Sequence, residues 1–115
     1  MQRTWHLGTC DTCKRILKEL PDSLERQEIR SEPITTEQLD EMVAIAGSHE
    51  ALFSRRARKF REMNLHQKDL TESDYRALIL EHDTFLKRPV TIVDDQIFIG
   101  STKKTVSSLL ECLQG

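Results

Sequence analysis

The sequence predicts an α/β fold: a mixed sheet in the order β-α-β … β-β-α, interrupted by a central helical insertion. Three observations carry that expectation. A short strand signal runs straight into a helix within residues 2–20, helical periodicity fills residues 34–84, and two β-branched runs meet at Asp94-Asp95. The expected organisation is one domain over 1–115, with sheet-forming parts 1–31 and 86–115 around an insert at 34–84.

Each element has a local cause. "QRTWHL" (2–7) alternates weakly and ends at Gly8, as a short first strand would. Cys13, Ile16, Leu17 and Leu20 then fall at i, i+3, i+4 and i+7, one face of a helix that Pro21 and Asp22 stop. "LERQEIR" (24–30) lies at the right distance for a second strand, parallel to the first through a right-handed crossover. Thr35 with Gln38 has the spacing of a capping box, and Leu39, Met42, Val43 and Ala46 form the apolar stripe before Gly47 closes that helix. A second insert helix is expected over 49–64. A third opens at Thr71, with Asp74 in its first turn and Tyr75, Leu78, Ile79 and His82 on one face. "RPVTIVDDQIFIG" (88–100) is the clearest β signal, two runs joined by a tight hairpin turn. A last helix begins near Thr102, with Val106, Leu109, Leu110 and Leu113 inward. This order is that of a thioredoxin-like domain with a helical insert in its middle.

Composition narrows the function classes. The chain has 115 residues, enough for a core without disulfide staples, and a formal net charge of −2, which gives no electrostatic reason to expect a nucleic-acid or membrane binder. No run of 18 apolar residues exists, and "MQRTWHLGTC" lacks the apolar stretch of a secretory signal. Three cysteines in such a chain point to a reducing compartment, so a cytoplasmic protein is expected. A monomer without bound cofactor is expected as well.

"GTCDTCKR" (8–15) carries the chemistry. Zinc would need about four ligands, and the only further cysteine is Cys112, with no closely spaced histidine pair, so no metal site is expected. Two buried structural thiols are the plain alternative, and Cys13 suits that reading because it sits centrally on the apolar stripe. Cys10 differs. It lies at the loop-to-helix junction, where free backbone N–H groups favour a thiolate. A C-x-x-C at a strand-to-helix junction of a βαβ unit suits a redox couple, Cys10 attacking and Cys13 resolving. His6 is near enough in sequence to support the Cys10 thiolate. Cys112 is expected off the apolar stripe of its helix, an exposed spectator.

Two arginines stand out. On a helix over 49–64, Leu52, Arg56, Phe60 and Met63 would share an arc of ~80°, placing Arg56 on the inward stripe, where it needs an anionic partner or a buried salt bridge. Arg55, Arg58 and Lys59 would be solvated. Arg88 precedes Pro89, which restricts it to extended geometry at the entry to the strongest strand.

Together "GTCDTCKR", "RSEPITTEQL", "SRRARKF", "LEHDTFLKRPV" and "DDQIFIG" resemble the arsenate-reductase-like family, ArsC and Spx, over nearly the whole chain and in order. The resemblance implies a thioredoxin-like fold, a proline of K-R-P (Pro89) that is commonly cis, and Cys10 as nucleophile. It also implies Arg56 and Arg88 as ligands of an oxyanion, for which the planar arginine fork is suited. Two departures matter. The family's glutathione- and glutaredoxin-linked arsenate reductases carry a third arginine where this chain reads Gly100-Ser101-Thr102-Lys103-Lys104, and a serine where it has Cys13. The resemblance therefore implies one of two roles. The first is an oxidoreductase acting on arsenate or on glutathione or protein disulfides, with glutathione/glutaredoxin or thioredoxin as reductant. The second is an Spx-like redox switch that binds the C-terminal domain of the RNA polymerase α-subunit.

Overall fold

The computed structural model describes residues 2–114. The chain forms two compact units, one taking in residues up to Pro33 and from Arg88 onward, the other Ile34–Lys87.

The first unit is a four-stranded mixed sheet in the order β2-β1-β3-β4. β1 (Gln2–His6) runs parallel to β2 (Glu25–Glu28), joined through α1 (Asp11–Leu17). β3 (Val90–Val93) lies antiparallel on the other side of β1, and β4 (Gln96–Ile99) pairs with β3. Asp94, in the left-handed region at φ 56°, supplies the tight turn between them. β1 and β3 are pinned by a buried hydroxyl pair, Thr4 Oγ1 to Thr91 Oγ1 at 2.8 Å, whose residues face each other in the register. α5 (Lys103–Gln114) packs Leu109 against Ile16, Leu20, Leu24 and Val93, with Leu17, Phe98, Val106, Leu110 and Leu113 around them.

α1 ends sooner than its apolar stripe. The Arg26 guanidinium donates to the carbonyls of Leu17 (3.2 Å) and Leu20 (3.3 Å), satisfying acceptors that the helix end leaves open. Cys112, expected exposed, is half-buried against the same cluster. The reason is that the buried arc centres on Leu109, and Cys112 lies only ~60° from it at 100° per residue.

In the second unit, α2 (Thr36–Ala46) and α4 (Glu72–Glu81) both begin with complete capping boxes. Thr35 and Gln38 exchange hydrogen bonds of 3.1 Å each, and Gly47 closes α2 at φ 97°, a conformation that glycine adopts without a Cβ clash.

Residues 49–64 are not one helix. They form a 3-10 turn, Glu50–Leu52, then an extended step, a turn through Arg55 and Arg56, and the short α3 (Arg58–Glu62). Long-range pairing breaks the helix: Phe53 bridges Leu86, Ser54 N–H donates to Phe85 C=O at 2.7 Å, and Lys87 N–H to Leu52 C=O at 2.8 Å. Phe53 is fully buried, with ring centroids of Tyr75 at 4.8 Å, Phe85 at 5.1 Å and Phe60 at 6.1 Å. Arg56 is consequently exposed in the turn, not on an inward stripe. Arg55, expected to be merely solvated, instead donates to the Tyr75 hydroxyl (2.6 Å) and Glu50 (2.8 Å) while its guanidinium lies 5.5 Å from the Tyr75 ring centre.

This assignment separates two neighbouring residues by stability. Phe53→Ala should lower the unfolding free energy by about 3–5 kcal/mol, and Arg56→Ala by no more than about 0.5 kcal/mol. Urea melts of the two variants check it; a large cost at Arg56 would restore the inward helix.

Candidate functional site

The chain leaves β1 at His6, turns through Leu7, Gly8 and Thr9, and enters α1 at Cys10. Cys10 is the N-cap, extended at φ −89° and ψ 113°. Its N–H donates to Leu7 C=O at 3.1 Å, closing the turn, and its C=O accepts from Lys14 N–H at 3.0 Å, opening the helix. This geometry leaves the Cys10 thiol half-exposed and buries Cys13 completely, one turn further on.

The two thiols are driven in opposite directions. Burial raises the Cys10 pKa, but the Cys13 backbone N–H and thiol, the Thr12 N–H and the Arg88 charge outweigh it and hold Cys10 below the ordinary thiol value. The Cys10 sulfur makes no side-chain cap hydrogen bond, and the nearby donors lower its pKa by favouring the charged form. Cys13 is pushed up to about 11, chiefly by burial and further by the Cys10 sulfur beside it, against an opposing pull from the Leu7 backbone and a lesser one from Arg88.

Arg88 reaches this pair because of the sheet register. Trp5 faces Val90, so the end of β1 and the start of β3 lie side by side. The Arg88–Pro89 peptide bond is cis, and Pro89 C=O accepts from Gly100 N–H at 2.9 Å. Arg88 is half-buried, and its Nη1 is buried with no hydrogen-bond partner among the described residues. A buried guanidinium nitrogen beside a thiolate is suited to an anionic group.

The sheet unit thus gathers Cys10, Cys13, Arg88 and Pro89. Arg56 belongs to the other unit. His6 does not supply the expected support as a cation. Burial lowers its pKa, with Glu28 partly opposing, so the imidazole is neutral at neutral pH. Among the described residues, no three His, Cys, Asp or Glu side chains are grouped so as to hold a metal ion.

One residue escaped the sequence reading. Glu28, paired with His6 at the end of β2, accepts from Gly8 N–H at 2.6 Å through Oε2. Its Oε1 accepts from Arg30 N–H (2.9 Å), Ser31 N–H (2.7 Å) and Ser31 Oγ (3.0 Å). These donors, the Gly8 N–H foremost, bring its pKa down to about 2. No spacing rule links Glu28 to Gly8; the contact exists only once β1 and β2 are paired.

Comparison with known proteins agrees with this architecture. The ArsC family model matches residues 5–109. The chain belongs to the ArsC family. It is 24% identical over 105 residues to "Global transcriptional regulator Spx 2" of Bacillus anthracis, covering 90% of this chain and 79% of that one. Among solved structures it is similar to an arsenate reductase from Vibrio cholerae, with a TM-score of 0.77 at 17% identity over 96% of this chain and 95% of that one. It is also similar to an arsenate reductase (ArsC) related protein from Brucella melitensis, with a TM-score of 0.71 at 22% identity over 93% and 92% of the two chains. The ArsC fold is thioredoxin-like, and the mixed β2-β1-β3-β4 sheet is its form here.

The depressed Glu28 pKa has a stability consequence. A carboxylate whose pKa is lower folded than unfolded stabilises the fold above its unfolded value, and that contribution is lost as pH falls towards the folded value. The window therefore runs from about 4.5 down to about 2. Glu28→Gln should flatten the stability-against-pH curve within that window relative to wild type; parallel curves would contradict the hydrogen-bond set.

Proposed function

We propose that this ArsC-family chain is a cytoplasmic thiol–disulfide oxidoreductase or reductase in which Cys10 attacks and Cys13 resolves. The observation that carries the reading is the opposed tuning of the two thiols, one held towards thiolate and half-exposed, the other protonated and buried. The Cys10 thiolate attacks one sulfur of a disulfide substrate and expels the other as thiolate, leaving a mixed disulfide on Cys10. Cys13 then loses its proton and attacks the Cys10 sulfur, releasing the second half of the substrate as thiolate and closing Cys10–Cys13. Glutathione/glutaredoxin or thioredoxin would supply the two electrons that reopen it.

Arg88 orients an anionic part of the substrate through its unpartnered Nη1. Arg56, exposed on its turn, is the other arginine for which the family resemblance implies anion binding. With arsenate the same two thiols would deliver two electrons, taking arsenic from As(V) to As(III) with one oxygen leaving as water. The Gly100–Lys104 stretch, which holds no arginine, favours a glutathione or protein disulfide over arsenate.

The reading predicts that Cys10 alkylates at neutral pH faster than a free thiol, while Cys13 resists until the pH approaches 11. Cys10→Ser should abolish disulfide reduction. Cys13→Ser should keep the first attack and accumulate a mixed disulfide visible by mass spectrometry. A Cys10 no more reactive than free cysteine would remove the reading's support.

A second reading rests on the relatives named as Spx regulators, which match over 90% of this chain. In it the Cys10–Cys13 disulfide switches a contact with the C-terminal domain of the RNA polymerase α-subunit. Binding of that domain in one redox state and not the other would favour the regulator; no binding in either state would leave the oxidoreductase.

A further inference from the structure

We infer that Glu28 is a positioning residue for Cys10, holding the loop that carries the thiol through the Gly8 backbone. The inference rests on the proposed role of Cys10 as nucleophile. Glu28 and His6 face each other at the ends of β2 and β1, and Ile29 N–H donates to His6 C=O at 2.9 Å, continuing the pairing one step beyond the strand. From there the two chains part. One enters the turn to Cys10, and the other bends through Arg30 and Ser31.

The Glu28 carboxylate spans that parting. One oxygen holds Gly8 and the other holds the Arg30–Ser31 turn, so a single side chain ties the two loops to each other. The approach is close enough that a side chain at Gly8 would crowd the carboxylate. A Cβ there would meet Glu28 Oε2 at 3.2 Å and Cγ at 3.3 Å, so the carboxylate would give by a few tenths of an ångström and lengthen the Gly8 bond.

Two residues after Gly8, Cys10 begins α1, and the stabilisation of its thiolate depends on where its sulfur stands relative to the Thr12 and Cys13 N–H groups and Arg88. Glu28 is itself an anion, and a carboxylate acting by charge alone would disfavour a neighbouring thiolate. Its contribution is therefore geometric: it fixes the turn and lets the helix start and Arg88 act on the sulfur.

The test is the pH profile of Cys10 alkylation by iodoacetamide in full-length wild type, Glu28→Ala, Glu28→Gln and Gly8→Ala, each checked for folding by circular dichroism. Glu28→Ala should move the profile to higher pH, slowing alkylation at neutral pH by about 3- to 10-fold while leaving the high-pH plateau unchanged, since one pH unit is a factor of ten in thiolate. Gly8→Ala should shift it in the same direction, and Glu28→Gln, which keeps one acceptor oxygen, should fall between. A simple packing defect would lower stability without moving the profile. In wild type, the Gly8 amide should also exchange slowly with solvent for a loop position. Unshifted profiles in folded Glu28→Ala and Glu28→Gln would overturn the inference, and so would a Gly8 amide exchanging at the unprotected rate should neither variant fold. A wild-type Cys10 that titrates as an ordinary thiol would instead count against the nucleophile assignment, because the positioning role is read from the difference between variant and wild type.

Discussion

The register between β1 and β3 is the constraint on which the site depends. With Thr4 opposite Thr91 and Trp5 opposite Val90, the chain leaving β1 towards Cys10 and the chain arriving at β3 through Arg88 and Pro89 meet at one end of the sheet. The register is held by alternation and by chemistry. A slip of one residue between the strands would turn the fully buried Trp5 away from the face it shares with Val90. It would also separate the Thr4 and Thr91 hydroxyls, and a buried hydroxyl left without a partner costs about 1–3 kcal/mol. The parallel pairing of β1 with β2 then does for Glu28 what β3 does for Arg88, bringing a residue from a distant segment level with the same loop.

What the sequence shows and what it hides divide along these lines. The capping boxes at Thr35 and Thr71, the glycine that closes α2, the Asp94-Asp95 turn and the inward face of Cys13 and Ile16 are all local, set by residues within a few positions of one another. They are legible because the physics that produces them acts at short range. The 49–64 stretch misleads for the opposite reason. Its periodicity suits a helix, but Phe53 and its neighbours gain more by pairing with residues 85–87 and burying an aromatic cluster than by continuing the helical ladder. Arg56 goes with it, from an expected inward stripe to an exposed turn. Cys10, Cys13 and Arg88 can be singled out because each carries its own local signal: a helix start, an apolar stripe, a proline that follows. Glu28 has none, since its significance comes from a hydrogen bond to a residue 20 positions away.

In the proposed oxidoreductase, the opposed thiols would also impose an order on the chemistry. With its pKa pushed up to about 11, Cys13 stays protonated at neutral pH and would not compete with Cys10 for substrate. Part of that elevation comes from Cys10 itself, through the hydrogen bond that the Cys13 thiol gives to the neighbouring sulfur and through the charge on it. Once Cys10 is bonded to substrate, its thiolate charge is gone and both contributions lapse. Burial still holds Cys13 up, but less of the elevation remains. The first step therefore lowers the cost of deprotonating the group that performs the second.

Arg88 connects this order to the question of enzyme or switch. In the proposed mechanism the Cys10 thiolate of the reduced protein partly balances its charge, while its buried Nη1 lacks a partner among the described residues. Closing Cys10–Cys13 would remove that anion and leave the half-buried guanidinium near two neutral sulfurs, with its buried Nη1 still unsatisfied by any described residue. The oxidised state thus has the stronger demand for an external anion at Arg88, and the reduced state the stronger nucleophile. A substrate anion that binds as the disulfide forms would be retained until reduction restores the thiolate, which suits a catalytic cycle. A partner's carboxylate taken up at the same point would make the same charge change into a signal. Both roles draw on one physical event, the loss of a single negative charge next to Arg88.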